Sequence, residues 1–411
     1  MSIDTIIVGA GLSGLACAKF LVENGHTCRI LEAAERPGGR IRTDVVDGFR
    51  LDRGFQVFLT AYPEAQNVLD YQSLNLKKFK SGALIRYEEE FCRVSDIIRH
   101  PADLPGNLFT KAASLADKLK IASLRSEVGR QSLEAIEQSE NVTTAERLKQ
   151  YGFSSRIISS FFRPFFGGVF LEPELQTSRR MFDFVFKMFA EGDATVPAKG
   201  MEEIPKQLAA NLPAGTIQCD ATVASVSSNR VVLESGESFD GKNVVIATDQ
   251  NSSNRLLDSQ SCDQCGVTCL YFAADHSPIS EPILVLNGDE LDGPINNLCV
   301  PTDVSDDYSA DNRSLISISV LGTGFDVEQL TGRVLDQAKT WYGNQVEQWK
   351  FLKSYEIPSA LPNQSCANLD TVQKPLVPQN GIFRAGDYLH YASIQGALES
   401  GRKIGQAIAG L

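Results

Sequence analysis

The sequence predicts an α/β fold, and three observations carry the prediction. An apolar run, Ile6 to Val8, ends at Gly9, and Gly9, Gly11 and Gly14 stand at G-x-G-x-x-G spacing, which reads as strand, tight turn and helix start. Short β-branched runs return at Cys219–Val226, Val231–Leu233 and Val244–Thr248. Near the C-terminus a strand, Gly381–Arg384, runs into Gly386-Asp387, and Ser393 opens a helix that continues to Ala409. Between these segments lies a stretch of different character, helical and rich in phenylalanine, which reads as an inserted second unit.

The 411 residues exceed one simple core and suggest two domains. Hydrophobic residues make up 43% and charged residues 22%, the balance of a chain that buries a large core, so disorder is not indicated. A net charge of −12 without a Lys/Arg run argues against a nucleic-acid surface. The 9 cysteines are mostly isolated and odd in number, which fits a reducing compartment. Cys262, Cys265 and Cys269 are read as ordinary thiols, because no second C-x-x-C accompanies them and only His276 is near; no metal is expected. The first strand begins almost at Met1 and no apolar stretch approaches a membrane span, so a cytoplasmic location is expected.

Gly9 needs the freedom of a residue without Cβ, Gly11 allows close approach of backbone to a pyrophosphate, and Gly14 allows the helix to pack on its strand. Leu15 to Asn24 continues as a crossover helix closed by Gly25, and Thr27–Leu31 is the second strand. Glu32, at its end, stands where an acid hydrogen-bonds a ribose 2′-hydroxyl; with Ala33 and Ala34 following, FAD or NAD is favoured over NADP. Glu35-Arg36-Pro37-Gly38-Gly39-Arg40 then adds a second glycine turn with flanking cations, suited to an elongated diphosphate and so to FAD. Leu51 to Gln56 is a strand or turn in which Gly54 permits close approach of a ligand.

Helical patches follow at Ala112–Arg130 and Leu133–Tyr151. Phe161, Phe162, Phe165, Phe166 and Phe170, followed by Phe182, Phe184, Phe186 and Phe189, suit either plain core or the lining of a cavity for a flat, lipophilic substrate. Pro197–Leu212 reads as a helix entered through Gly200. Residues 251 to 370 carry a strand at Leu315–Leu321, a helix at Val327–Tyr342 and no triad or metal spacing. At the C-terminal end, Asp387 would meet ribityl or phosphate-side groups, and the amides opening the last helix would stabilise charge on a reduced flavin.

GAGLSG, Glu32, Arg36-x-Gly38-Gly39-Arg40 and Ala385-Gly386-Asp387 with SIQGALESG together resemble the superfamily of flavin amine oxidases, protoporphyrinogen oxidases and phytoene desaturases. The resemblance implies a Rossmann-type FAD/NAD(P)-binding domain made discontinuously from 1–60, 195–250 and 371–411, with an inserted α+β substrate domain over 61–194 and 251–370. Carried over by position, it places Gly9, Gly11, Ser13 and Gly14 at the pyrophosphate, Glu32 at the adenosine ribose and Arg40, with Gly38 and Gly39, at the diphosphate. Gly54 and Phe55 would lie near the isoalloxazine, Val223 would offer backbone to adenine, and Gly386, Asp387 and Ile394 would complete the flavin end.

Ser393 stands where amine oxidases of this superfamily commonly hold an aromatic wall, and the lysine that several of them keep near flavin N5 has no evident counterpart. Tyr388 and Tyr391 could build a different cage. Cys366 lacks the surroundings of a flavin-linking cysteine, so FAD is expected to be non-covalent. These departures place the chain nearer the desaturase-like branch. The expected reaction is removal of a hydride from an apolar small molecule to flavin N5, a C–C or C–N dehydrogenation. The alternatives are a flavin amine oxidase proper, a flavin-dependent isomerase, and a flavin-free binding protein like the GDP-dissociation inhibitors. No catalytic side chain is assigned; His390 is the tempting base, with a structural or surface role as its alternative. Oligomeric state and peripheral membrane contact stay open.

Overall fold

A computed structural model describes residues 3–95, 111–289, 293–366, 368 and 381–410. Parts of the expected segments, among them residues 1–2, 96–110, 371–380 and 411, lie outside the described residues. The architecture is mixed α/β, with one largely parallel and one largely antiparallel seven-stranded sheet.

The apolar run after the N-terminus forms the strand Ile3–Val8, buried over its last four residues as a central parallel strand must be. It pairs in parallel with Cys28–Leu31 on one side and with Ser238–Ile246 on the other, so that Val8 lies beside both Leu31 and Ile246. Ile217–Gln218 extends the sheet beyond Cys28–Leu31, and Ile382–Arg384 adds a parallel strand to the far edge of Ser238–Ile246. One sheet therefore joins the two ends of the chain through a strand from its middle. Arg230–Leu233 and Val223–Val226 complete it as an antiparallel ribbon.

The second sheet runs in the order Lys350–Pro362, Gln264–Ala274, Ser314–Leu321, Asn297–Cys299, Leu284–Asn287, Gly82–Tyr87 and Glu90–Ser95. Its faces alternate in the usual way: Leu270, Phe272, Leu298, Ile316, Ile318 and Val320 pack into one core with Trp341 and Trp349, and the intervening residues turn toward the first sheet. The helix Val327–Tyr342 covers that core, at the bounds the sequence predicts.

Several expected elements are shorter or divided. The Leu133–Tyr151 patch is two helices, Leu133–Glu137 and Thr144–Gln150, because Thr143 and Glu146 form a capping box that starts the second one afresh. Pro197 closes a strand, Ala194–Pro197, and the following helix begins only at Glu203. The delay follows from Gly200, whose φ of +100° lies outside the helical region, and a Cβ there would stand 2.5 Å from Thr43 Oγ1. Cys219–Val226 is not one strand: the chain turns at Asp220, separating Ile217–Gln218 from Val223–Val226. Among the described residues, no helix is long and apolar enough to cross a membrane.

Candidate cofactor and substrate site

A cavity of about 520 Å³ runs from the C-terminal edge of the parallel strands to the inward face of the second sheet. Of the residues the sequence singles out, Gly9, Gly11, Ser13, Glu32, Gly38, Gly39, Arg40, Gly54, Phe55, Val223, Gly386, Asp387 and Ile394 all line it. Gly14 does not. A Cβ at Gly14 would fall 2.0 Å from the Gly9 carbonyl oxygen, so this glycine serves the contact of helix with strand.

The three glycines of the turn thus have three different reasons. Gly9 has φ +104°, and its Cβ would stand 2.8 Å from the Ala247 carbonyl oxygen. Gly11 has φ −72° and ψ 178°, a conformation open to any residue, and a Cβ there would meet no atom within 4 Å. Neither backbone nor packing requires glycine at position 11, and its absent side chain leaves the space beside the backbone open to a ligand.

Two helices open onto this end: Leu12–Glu23, and Ile394–Ala409 with Ser393 as its cap, whose Oγ accepts from the Gly396 amide at 3.1 Å. Unpaired amides at both starts make the region receptive to negative charge. The helices lie close because Gly401 has no side chain; a Cβ there would be 2.1 Å from the Ser13 carbonyl oxygen.

Glu32 is held rigidly, its two carboxylate oxygens accepting from the amides of Ala10 at 2.7 Å and Ala34 at 2.9 Å. Arg40 and Asp387, far apart in sequence, form an ion pair at 2.7 Å, and a second guanidinium nitrogen of Arg40 donates to the Ala360 carbonyl at 2.9 Å. Burial pulls the Arg40 pKa down, but the Asp387 carboxylate outweighs it, and Arg40 is held above its ordinary value. The expectation that Arg36 also faces a diphosphate is not met. Arg36 is outside the cavity lining, tied to Asp44 at 2.8 Å, to Glu202 at 2.8 Å and to Glu35 at 2.7 Å, because these three carboxylates surround it.

The far end of the cavity has a different chemistry. Phe165, Gly168, Val169, Leu171, Met181, Val185, Phe189, Val267, Leu284, Leu286, Ile357 and Leu361 form its walls, with Asn297 and Ser319 as polar points. The phenylalanine cluster divides: Phe162, Phe166 and Phe182 are core, whereas Phe165 and Phe189, rings 5.3 Å apart, face the cavity. The charged side chains among the described lining residues are Glu32, Arg40, Arg53, Asp249, Arg255 and Asp387; Arg40 and Gly54 border Ala360 and Ile357 where the two ends meet, and Arg53 is tied to Asp44 at 3.0 Å.

Tyr388, Tyr391 and His390 do not line the cavity. Tyr391 instead stacks on Phe184 at 4.1 Å, and Tyr388 is buried beneath the guanidinium of Arg384. No lysine, cysteine or histidine is among the described lining residues. The residues that the sequence reading missed are Asp249, Ser252 and Arg255 at the charged end, Gln56 between the ends, and Asn297 and Ser319 at the apolar end. Asp249 announces itself only as a helix cap after a strand, accepting from Ser252 at 3.0 Å. Asn297 and Ser319 carry no local signal beyond strand alternation.

Comparison with known proteins agrees with this geometry. The family described as flavin containing amine oxidoreductase matches residues 12–409. The chain belongs to that family. That description names a flavin and an oxidoreductase activity for the family's members. A 15-cis-phytoene desaturase from an Oncidium hybrid cultivar is 30% identical over 175 residues, which are 39% of this chain and 29% of that protein. An L-amino-acid oxidase of Daboia russelii is 51% identical over 51 residues, 12% of this chain and 10% of that one. The chain therefore spans well under two thirds of the curated relatives it matches. Solved structures share the whole fold: putrescine oxidase with TM-score 0.75 at 16% identity, covering 100% of both chains, and cyclohexylamine oxidase from Brevibacterium oxydans with TM-score 0.72 at 15% identity, covering 100% of this chain and 99% of that one.

Proposed function

We propose that the chain binds FAD non-covalently along the charged end of the cavity and dehydrogenates an apolar small molecule held at the other end, by preference at a carbon–carbon bond. The supporting division is 1–60, 195–250 and 371–411 as the flavin-binding unit and 61–194 with 251–370 as the substrate-binding unit. Gly9, Gly11 and Ser13 would meet the pyrophosphate, Glu32 the adenosine ribose, Val223 the adenine, and Arg40 the diphosphate. Gly54, Phe55, Asp387 and Ile394 would border the flavin ring. The open space at Gly11 and the fixed carboxylate of Glu32 fit such a ligand. That neither cysteine nor histidine stands among the described lining residues supports non-covalent binding.

The observation that carries the substrate reading is the apolar end itself, which has no ionised side chain among its lining residues. An ammonium would lose its water there and find no carboxylate in the wall, only the rings of Phe165 and Phe189, and Tyr391 is committed to Phe184. Bound FAD supplies the electron sink for the hydride. The chain's own residues orient the substrate, exclude water around Phe165 and Phe189, and offer helix amides to developing negative charge.

Anaerobic mixing of the flavin-loaded protein with polyenes, porphyrinogens and amines tests this reading through the flavin absorption. Bleaching by a carbon skeleton and not by amines is expected. Bleaching by amines alone overturns it, turnover without bleaching moves the chain to the isomerases, and a protein that neither carries nor takes up FAD overturns the cofactor.

A further inference from the structure

We infer that Asn297 and Ser319 form a recognition point for one neutral oxygen, a carbonyl or hydroxyl, on an otherwise apolar substrate. The inference rests on the apolar end being the substrate's place. It narrows the substrate from any apolar molecule to an oxygen-bearing one.

Asn297 and Ser319 lie directly opposite each other on adjacent antiparallel strands, and each is only 4% exposed. Their neighbours Leu298, Ile318 and Val320 point to the opposite core, so both polar side chains are on the cavity face. Burying such groups in an apolar wall is costly unless they find partners.

The orientation of the Asn297 amide follows from a chain of hydrogen bonds. The Pro164 carbonyl only accepts, so the Asn296 side-chain atom 3.1 Å from it must be the nitrogen. That same nitrogen lies 3.0 Å from Asn297, which must therefore present its oxygen there. Gly168 makes the arrangement fit, since a Cβ at that position would stand 2.7 Å from Asn296 Nδ2. With its oxygen engaged, Asn297 turns its NH₂ group toward Ser319, whose Oγ is 3.5 Å away, at the long limit of a hydrogen bond.

The pair thus keeps donors, beside some lone pairs, that these hydrogen bonds do not engage. Asn297 Nδ2 carries two N–H groups, Ser319 carries one O–H, and the long contact between them engages at most one of these. Donors left free on an otherwise apolar wall recognise an acceptor oxygen, which a hydrocarbon does not offer. An ammonium could donate to the remaining lone pairs, but its charge would be buried there with no carboxylate in the wall to offset the loss of water.

Calorimetric titration of the FAD-loaded protein with phenylcyclohexane, 4-phenylcyclohexanone and 4-phenylcyclohexylamine tests the pair without requiring turnover. The ketone should bind about tenfold more tightly than the hydrocarbon, with the amine weakest. Ser319→Ala should reduce the ketone preference, and Asn297→Asp, which keeps the shape but replaces the NH₂ donor by an acceptor, should abolish it and favour the amine. FAD content of each variant reports its folding. Equal affinities in the wild type, no binding of any probe, or a ketone preference that survives Asn297→Asp overturns the inference. Flavin bleaching by a plain polyene alongside equal probe affinities would overturn the pair and leave the dehydrogenation standing; retained ketone preference with bleaching by amines alone would do the reverse.

Discussion

The two ends of the cavity are built by different means. The charged end is made of backbone: glycine turns, two helix starts, and a few acids and arginines fixed by short hydrogen bonds. The apolar end is made of side chains from strands and helices far apart in the chain, with a single polar pair. A backbone site is written in contiguous motifs and serves any molecule that shares the same diphosphate and ribose. A side-chain site is written residue by residue and can change with the substrate while the first end stays as it is.

Substitutions within the glycine turn break the comparison most sharply. Gly14→Val should cost about 3 kcal/mol or more of stability, seen as a large fall in melting temperature or insoluble protein, because its Cβ would meet the Gly9 carbonyl oxygen at 2.0 Å. Gly11→Val should fold as the wild type does, its backbone being open to any residue, yet weaken FAD by about a hundredfold. If Gly11→Val retains flavin, the diphosphate does not sit against that turn. A smaller effect is expected for Glu32→Gln, about tenfold in FAD affinity by equilibrium dialysis. Glutamine has one acceptor oxygen for the two amides of Ala10 and Ala34, and its NH₂ group would face one of them. The smallest concerns the apolar end. Tyr391→Phe should change stability by less than about 0.5 kcal/mol and leave the substrate preference intact, because the ring stacks on Phe184 outside the cavity. A changed preference in that variant would restore a cage role for this tyrosine.

Much of the charged end was legible because each of its devices is local. Gly9, Gly11 and Glu32 lie within one strand–helix–strand unit, and Gly386-Asp387 precedes its helix directly. Arg36 and Arg40 show where that legibility stops. The two arginines look equivalent in the sequence, but Asp44 and Glu202 draw one away while Asp387 holds the other at the cavity. Asp44 is near Arg36 in the chain, but Glu202 and Asp387 reach their arginines only through packing between segments more than a hundred residues apart.

The sequence by itself determined the α/β class and carried the motifs expected to cradle a flavin, since turn geometry, helix starts and close backbone approach are properties of short stretches. Only the tertiary structure decided the rest. It separated the three reasons for glycine at positions 9, 11 and 14, turned Tyr388 and Tyr391 away from the cavity, and brought Asn296, Asn297 and Ser319 to Pro164 and Gly168. The physical reason is register: which side chains of a strand face a cavity, and what stands opposite them, is fixed by pairing with strands distant in the chain, and no local pattern encodes that pairing.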